Sequence, residues 1–204
     1  MAKLLNINPY TPEERKLDEA VKVLKKGGVI IFPTDTVYVM GCSIHERKGI
    51  EKICQIKGVK LEKSLFTFIC QNLSDAAKYA KQIPNPVFKV MKRVFPGPFT
   101  FILNASAEVP RILQYKRKTI GLRITSHQIP ALLVEKLGHP MISSSLPERE
   151  LEIEYSTDPS LMEEEYGKIV DIVIDGGIGD IGETTVVDCT EGEIEVIRDG
   201  IGEL

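Results

Sequence analysis

Residues 27–41 read Gly27-Gly28-Val29-Ile30-Ile31-Phe32-Pro33-Thr34-Asp35-Thr36-Val37-Tyr38-Val39-Met40-Gly41. The unbroken apolar run at 29–32, set behind a double glycine, reads as a strand buried on both faces rather than as an alternating surface strand. Pro33 ends it. Thr34, Asp35, Thr36 and Tyr38 then put four hydrogen-bonding side chains into five positions, where a buried strand runs out into a loop closed by Gly41. Strand ends of this kind are where α/β sheets bind ligands. The same residues would also suit an ordinary strand-to-helix turn whose Thr and Asp satisfy local backbone groups, and this stretch alone does not separate the two readings.

Outward from this stretch, helical and strand periods interleave. Upstream, Thr11-Pro12-Glu13-Glu14 opens a helix with Thr11 as N-cap and Glu14 closing a capping box; Leu17, Ala20, Val21 and Leu24 form its apolar stripe before Gly27. Downstream, a helix at about 46–57 buries Ile50, Ile53 and Cys54 and leads into Lys57, Lys60 and Lys63, ahead of a strand at 65–69. Ser74 with Asp75 caps a short helix, and Pro86 starts another carrying Val87, Val90, Met91 and Val94. Pro96-Gly97-Pro98 forbids continuation, and strands follow at 99–103 and 119–124, joined by a basic connection at 111–118. Ile129, Leu132, Leu133 and Leu137 mark a helix ended by Gly138, and 141–145 is a short strand running into an acidic loop. Asp158-Pro159 caps a helix to about 166, a strand covers 169–174, and 184–189 with 193–198 form a terminal hairpin around Glu191-Gly192. This alternation specifies an α/β or α+β sheet with helical cover.

With 204 residues, 43% of them hydrophobic, the chain is expected to fold as a single domain spanning 1–204. No apolar run approaches the ~18 residues of a membrane span, and the N-terminus does not open a signal peptide, so a cytoplasmic protein is expected. Cys42, Cys54, Cys70 and Cys189 show no C-x-x-C spacing and His45, His127 and His139 are scattered, which suggests buried thiols rather than a zinc site or disulfides. Charge is unevenly distributed. Residues 1–125 hold 22 Lys and Arg against 10 Asp and Glu, whereas 126–204 hold 4 against 19. Such asymmetry favours a polyanionic partner on the basic part, unless the acidic part folds back over it.

Gly177-x-Gly179-x-x-Gly182 matches a dinucleotide fingerprint, but the β-branched Thr184-Thr185-Val186-Val187 follows where a helix would have to start. This argues against a Rossmann site, and no G-x-x-x-x-G-K-[ST] loop is present.

Four separated features converge: Pro33-Thr34-Asp35-Thr36-x-Tyr38-x-x-Gly41, Pro96-Gly97-Pro98-Phe99-Thr100, Thr119-x-Gly121-x-Arg123, and the serine run 143–145 at a strand end. In this order and spacing they resemble the YrdC-like family of threonylcarbamoyl-AMP synthases, more closely its YciO-type branch. The resemblance runs from about Glu13 to Gly200 and takes in Thr184-Thr185-Val186-Val187-Asp188 and Arg198. It implies a twisted open mixed sheet with helices on both faces around a large concave basic cavity. It also implies a reaction in which L-threonine and bicarbonate form a carbamate that attacks the α-phosphate of ATP, held with Mg²⁺ as a substrate complex, before the product modifies an adenosine in tRNA. Chemistry of that kind depends on positioning and charge stabilisation, with no covalent nucleophile and no metal held by protein side chains.

By matched position, the resemblance puts Thr34, Tyr38, Arg123, Ser143 and Thr184 on the threonine side, and Lys57, Thr119, Ser145 and Arg198 on the nucleotide side. Three departures fall on this site. Val59 stands where the synthases carry the arginine of Lys-x-Arg, Val39 follows Tyr38 where they carry glycine, and Ser145 replaces the asparagine of Ser-Ala-Asn. Loss of one such contact costs a transition state roughly 2.7 to 4 kcal/mol, enough to make catalysis slow or absent. The alternative is a non-catalytic relative holding structured or double-stranded RNA through phosphates, with Lys60, Lys63, Lys116, Arg117 and Lys118 as its basic surface. A pentulose-phosphate lyase of related architecture lacks the acidic and histidine cluster for its metal.

Overall fold

The computed structural model describes residues 1–64, 66–114, 118–147 and 154–204, with the side chains of 154 and 155 excepted. Along the chain lie β1 (Lys3–Asn6), α1 (Glu14–Leu24), β2 (Ile30–Phe32), β3 (Val39–Ser43), α2 (Arg47–Lys57), β4 (Thr67–Ile69), α3 (Leu73–Tyr79), α4 (Asn85–Val94) and β5 (Phe99–Asn104). Then come β6 (Thr119–Arg123), α5 (Gln128–Leu137), β7 (Met141–Ser145), α6 (Glu154–Thr157), α7 (Pro159–Tyr166), β8 (Ile172–Asp175), β9 (Thr185–Asp188) and β10 (Glu195–Arg198). The described strands form one mixed sheet in the order β1-β8-β2-β3-β7-β4-β6-β5-β9-β10.

Alternation along the strands divides the interior into two cores. In β2, Ile31 packs into the larger core, while Ile30 and Phe32 belong to the smaller one; all three are buried. The larger core receives Ile50 and Ile53 of α2, Ala76 of α3, Val87 and Met91 of α4 and Met162 of α7. The smaller core is closed by Leu17, Ala20, Val21 and Leu24 of α1 with Ile129 and Leu133 of α5. Helices therefore cover both faces, and burial of both faces of β2 explains its unbroken apolar run.

Three local readings are corrected. The first helix starts at Glu14 with Glu13 at its N-cap and no side-chain cap. Asn8 instead accepts the N–H groups of Tyr10 and Thr11, and the Glu13 carboxylate turns back to the N–H of Asn8, so the local Asx turn wins over the capping box. The short helix α3 is capped by Asn72, whose side chain accepts from the N–H of Asp75, rather than by Ser74. The loop after β2 closes at Tyr38, and 39–43 is a buried antiparallel strand between β2 and β7. Gly41 therefore sits inside a strand. A Cβ there would lie 2.2 Å from the Ile142 carbonyl oxygen and 2.8 Å from the Phe32 ring, so close approach is what requires glycine. β1 was also unannounced by its own residues; it pairs in parallel with β8 at the sheet edge. Among the described residues the terminal hairpin forms as expected, and all four cysteines are free and buried.

Candidate functional site

The cavity follows from the same alternation. On β5, β6 and β9 the side chains of Phe101, Leu103, Ile120, Leu122 and Val187 enter the larger core. Thr100, Ile102, Thr119, Gly121, Arg123, Val186 and Asp188 line the opposite face. α1 and α5 contribute no lining residue on that face, since they pack in the smaller core over β1, β8 and β2 together with Val39, Met141 and Ile69 of β3, β7 and β4. The uncovered half of the sheet thus becomes the floor of a cavity of about 600 Å³. Gly121 keeps the floor flat: a Cβ would stand 2.9 Å from Thr67 Oγ1 and 3.3 Å from Thr100.

Arg123, at the C-terminal end of β6, is 4% exposed. Its Nη2 donates to Thr34 Oγ1 at 3.0 Å, to Thr36 Oγ1 at 2.8 Å and to Asp35 Oδ1. Among the described residues its buried Nε has no partner, and its hydrogen bonds are all made by Nη2. Asp35 is further bound by Thr125 Oγ1 at 2.9 Å, the Ser126 N–H at 2.9 Å and Ser126 Oγ at 3.1 Å. Burial opposes ionisation of Asp35, but the Arg123 charge and these hydrogen bonds outweigh it and hold the carboxyl below its ordinary value. Burial pulls Arg123 down and Asp35 opposes that, so the two stay a charged pair.

Seven of the nine residues expected at threonine or nucleotide meet in this cavity: Arg123, Ser143, Thr184, Lys57, Thr119, Ser145 and Arg198. Lys57 Nζ donates to Ser145 Oγ at 2.7 Å and to its carbonyl at 3.2 Å. Arg198 donates through Nη2 to the Thr184 carbonyl and to Thr184 Oγ1, both at 3.0 Å, and its Nη1 pairs with Glu183 at 2.9 Å. Thr184 Oγ1 lies 3.2 Å from Thr100 Oγ1, which links the late Thr-Thr-Val-Val segment to the Pro-Gly-Pro-Phe-Thr segment. Among the described residues the lining carries three cations, Lys57, Arg123 and Arg198, with two carboxylates, Glu183 and Asp188. Its apolar part includes Phe66, Ile102, Leu113 and Val186.

Thr34 and Tyr38 stand outside the lining. Thr34 Oγ1 donates to the Val37 carbonyl at 2.7 Å and accepts from Arg123, which makes it a support; Thr36 is the threonine of this motif that lines the cavity. Tyr38 is 2% exposed beneath the 176–179 segment, and its hydroxyl donates to Gly177 O and accepts from the Gly176 N–H. That segment is the glycine run with the false dinucleotide pattern: Gly179 crosses the Tyr38 ring so closely that a Cβ would lie 2.5 Å from it. Thr125 and Ser126 were missed as site residues; Asp35 and Thr36 were recognised as hydrogen-bonding side chains of the strand-end loop but given no role at the site. Lys60, Lys63 and Lys118 are exposed and do not line the cavity, and Lys116 and Arg117 lie outside the described residues. Among the described residues, no helix is long and apolar enough to cross a membrane, and no group of three or more His, Cys, Asp or Glu could hold a metal ion.

Comparison with known proteins gives a consistent result. The family model described as Sua5_yciO_yrdC, Telomere recombination, matches residues 22–200. The chain is 40% identical to Escherichia coli YciO over 205 residues, covering 100% of this chain and 98% of that one. It superposes on the crystal structure of E. coli YciO with a TM-score of 0.90 at 39% identity, over 100% and 98% of the two chains. It is 32% identical to the Pyrococcus abyssi threonylcarbamoyl-AMP synthase over 92% of this chain and 55% of the relative. The structure of P. abyssi Sua5 complexed with L-threonine matches with a TM-score of 0.84 at 27% identity, over 97% of this chain and 57% of the other.

Proposed function

The chain belongs to the Sua5–YciO–YrdC family, and on that premise we propose that it is a slow threonylcarbamoyl-AMP synthase-type nucleotidyltransferase. L-Threonine and bicarbonate condense to a carbamate with loss of water. A carbamate oxygen attacks the α-phosphate of ATP, and pyrophosphate leaves; the adenylate is then available for modification of an adenosine in tRNA. The observation that carries this reading is the state of Arg123: Nη2 is fully committed to the 34–36 loop, while the rest of its guanidinium keeps unspent donors in a residue that lines the cavity. A carboxylate of an α-amino acid accepts charge-assisted hydrogen bonds from donors of this kind. Lys57 with Ser145, Thr119 and Arg198 supply cationic and hydroxyl groups for the phosphates of ATP, which brings its Mg²⁺ with it as substrate. Catalysis consists of holding three anionic reactants in line, with Ser143 and Thr36 as neutral donors beside Arg123.

Slowness follows from Val59. It is 39% exposed and outside the lining, so position 59 supplies no cation to the phosphates. The test is pyrophosphate release by the purified protein. Release is expected to require ATP, bicarbonate and L-threonine together, and to fall at least tenfold in Arg123→Ala. No release with any of the twenty amino acids overturns the proposal, and salt-sensitive retention of structured RNA in its place would favour the RNA-binding relative.

A further inference from the structure

Asp35 and Arg123 are 88 positions apart, and their side chains are only 9% and 5% exposed. Asp35 does not line the cavity. Both of its oxygens are nonetheless occupied, Oδ1 by Arg123 and Thr125, Oδ2 by the N–H and hydroxyl of Ser126. The carboxylate therefore joins the loop after β2 to the end of β6 and the approach to α5, and it has no acceptor left over for a ligand. On the other partner the arithmetic runs the opposite way. A guanidinium has five N–H donors. The two on Nη2 face three acceptors from consecutive residues, Thr34, Asp35 and Thr36, whereas Nε is buried without a partner among the described residues and Nη1 makes none of the hydrogen bonds of this residue. A buried orphan donor is costly in a folded protein unless a ligand or ordered water answers it. Here the cost falls on Nε, while Nη1 is not among the buried orphan donors.

We propose that Asp35 is the positioning residue of this cavity: without meeting the ligand, it pins Nη2, leaves Nη1 as the unspent nitrogen of Arg123 for the cavity and cancels its charge. The site then selects a carboxylate by the fixed direction of its donors instead of gathering anions by net charge. This deepens the amino-acid reading of the cavity and rests on it for the identity of the ligand. It does not rest on it for the geometry. A purely structural role for Asp35 would give a different signature, because loss of structure weakens every ligand alike, whereas removal of a compensating charge leaves the cavity one unit more positive.

The experiment has a ligand-free arm and a ligand arm on the full chain. In the first, ¹⁵N-detected exchange of the Arg123 Nε–H, identified by its loss in Arg123→Lys, is measured relative to the backbone N–H of Leu122 on the same strand. Asp35→Asn is expected to speed the Nε–H at least tenfold relative to Leu122, and Asp35→Glu to recover part of the protection. Thr125→Val, which removes one hydrogen bond but keeps the ion pair, is expected to lie between wild type and Asp35→Asn, and serves if Asp35→Asn does not fold. An unchanged ratio overturns the proposal. In the second arm, Asp35→Asn is expected to weaken L-threonine at least tenfold while tightening inorganic phosphate; weakening of both in parallel overturns it. A wild-type protein that shows the expected exchange but no binding of L-threonine refutes the synthase reading and leaves the role of Asp35 standing.

Discussion

The hydroxyl of Tyr38 donates to the carbonyl of Gly177 at 2.7 Å and accepts the N–H of Gly176 at 3.1 Å, so the tyrosine of the Thr-Asp-Thr loop fastens a glycine segment from the other end of the chain. Burial raises its phenol well above the ordinary value, which keeps it a neutral donor. Tyr38→Phe is expected to leave the Gly177 carbonyl and Gly176 N–H without this partner and to cost about 1–3 kcal/mol. Since Tyr38 does not line the cavity, L-threonine affinity should stay within about threefold, a range that corresponds to under 1 kcal/mol. Chemical denaturation alongside ligand titration checks this, and a large loss of affinity at unchanged stability would return Tyr38 to the ligand.

Removing the guanidinium leaves a buried carboxylate behind. Arg123→Ala is expected to destabilise the fold by about 3–5 kcal/mol, since Asp35 would lose its charge partner at 9% exposure. The double change Arg123→Met with Asp35→Leu should recover much of that stability without recovering any ligand binding. Equal stability of the single and double variants would mean that the pair is not the source of the loss.

Stability should fall as the solution is made mildly acidic. His127 is the N-cap of α5, and its Nδ1 accepts the N–H of Ile129 at 3.2 Å, which requires a neutral ring. Burial lowers its pKa below 6.5, with Asp35 opposing, and burial lowers His139 as well. The unfolded chain therefore takes up these protons first, so the contribution is present above pH 6.5 and is lost as the pH falls through the lower folded values. Asp35 acts in a separate window: its depressed carboxyl stabilises the fold above 3.8 and loses that contribution at lower pH. His127→Asn keeps a capping oxygen that does not titrate. Thermal midpoints between pH 5 and 8 should show a smaller drop in this variant than in wild type, with His139 accounting for the remainder; an identical drop would exclude His127.

Restoring the missing cation tests why turnover is slow. Gly58 ends α2 in the left-handed conformation at φ 64°, and Val59 follows directly after Lys57-Gly58. Val59→Arg is expected to tighten ATP about tenfold and to raise pyrophosphate release, as one charge-assisted hydrogen bond of about 1.5–3 kcal/mol allows. Unchanged ATP binding would show that position 59 is not what limits the site.

Much of this protein was legible from its residues. The helical stripe of Leu17, Ala20, Val21 and Leu24 segregates buried from exposed side chains within one element, and the apolar run at 29–32 is buried at every position, so each declares itself from its own residues, as does the strand at Met141–Ser145. The motif residues likewise carried the family and most of the cavity lining. β1 was not legible, because four residues at a sheet edge acquire their strand character only by pairing with β8, Lys3 opposite Ile172. β3 was hidden by Gly41, whose close packing against Ile142 and Phe32 looks like a loop signal in one dimension.

The deciding case is the run Thr34-Asp35-Thr36-Val37-Tyr38. Its composition by itself determined that a polar loop leaves a doubly buried strand, because only a strand covered on both faces can be apolar at every position. Which side chain serves which purpose was settled by tertiary structure alone: Thr36 lines the cavity, Thr34 and Asp35 hold Arg123 from behind, and Tyr38 holds the 176–179 segment. Period-two alternation fixes which residues share a face but not which face stays open. That depends on α1 and α5 covering one half of the sheet and leaving the other bare, a relation among elements far apart in the chain.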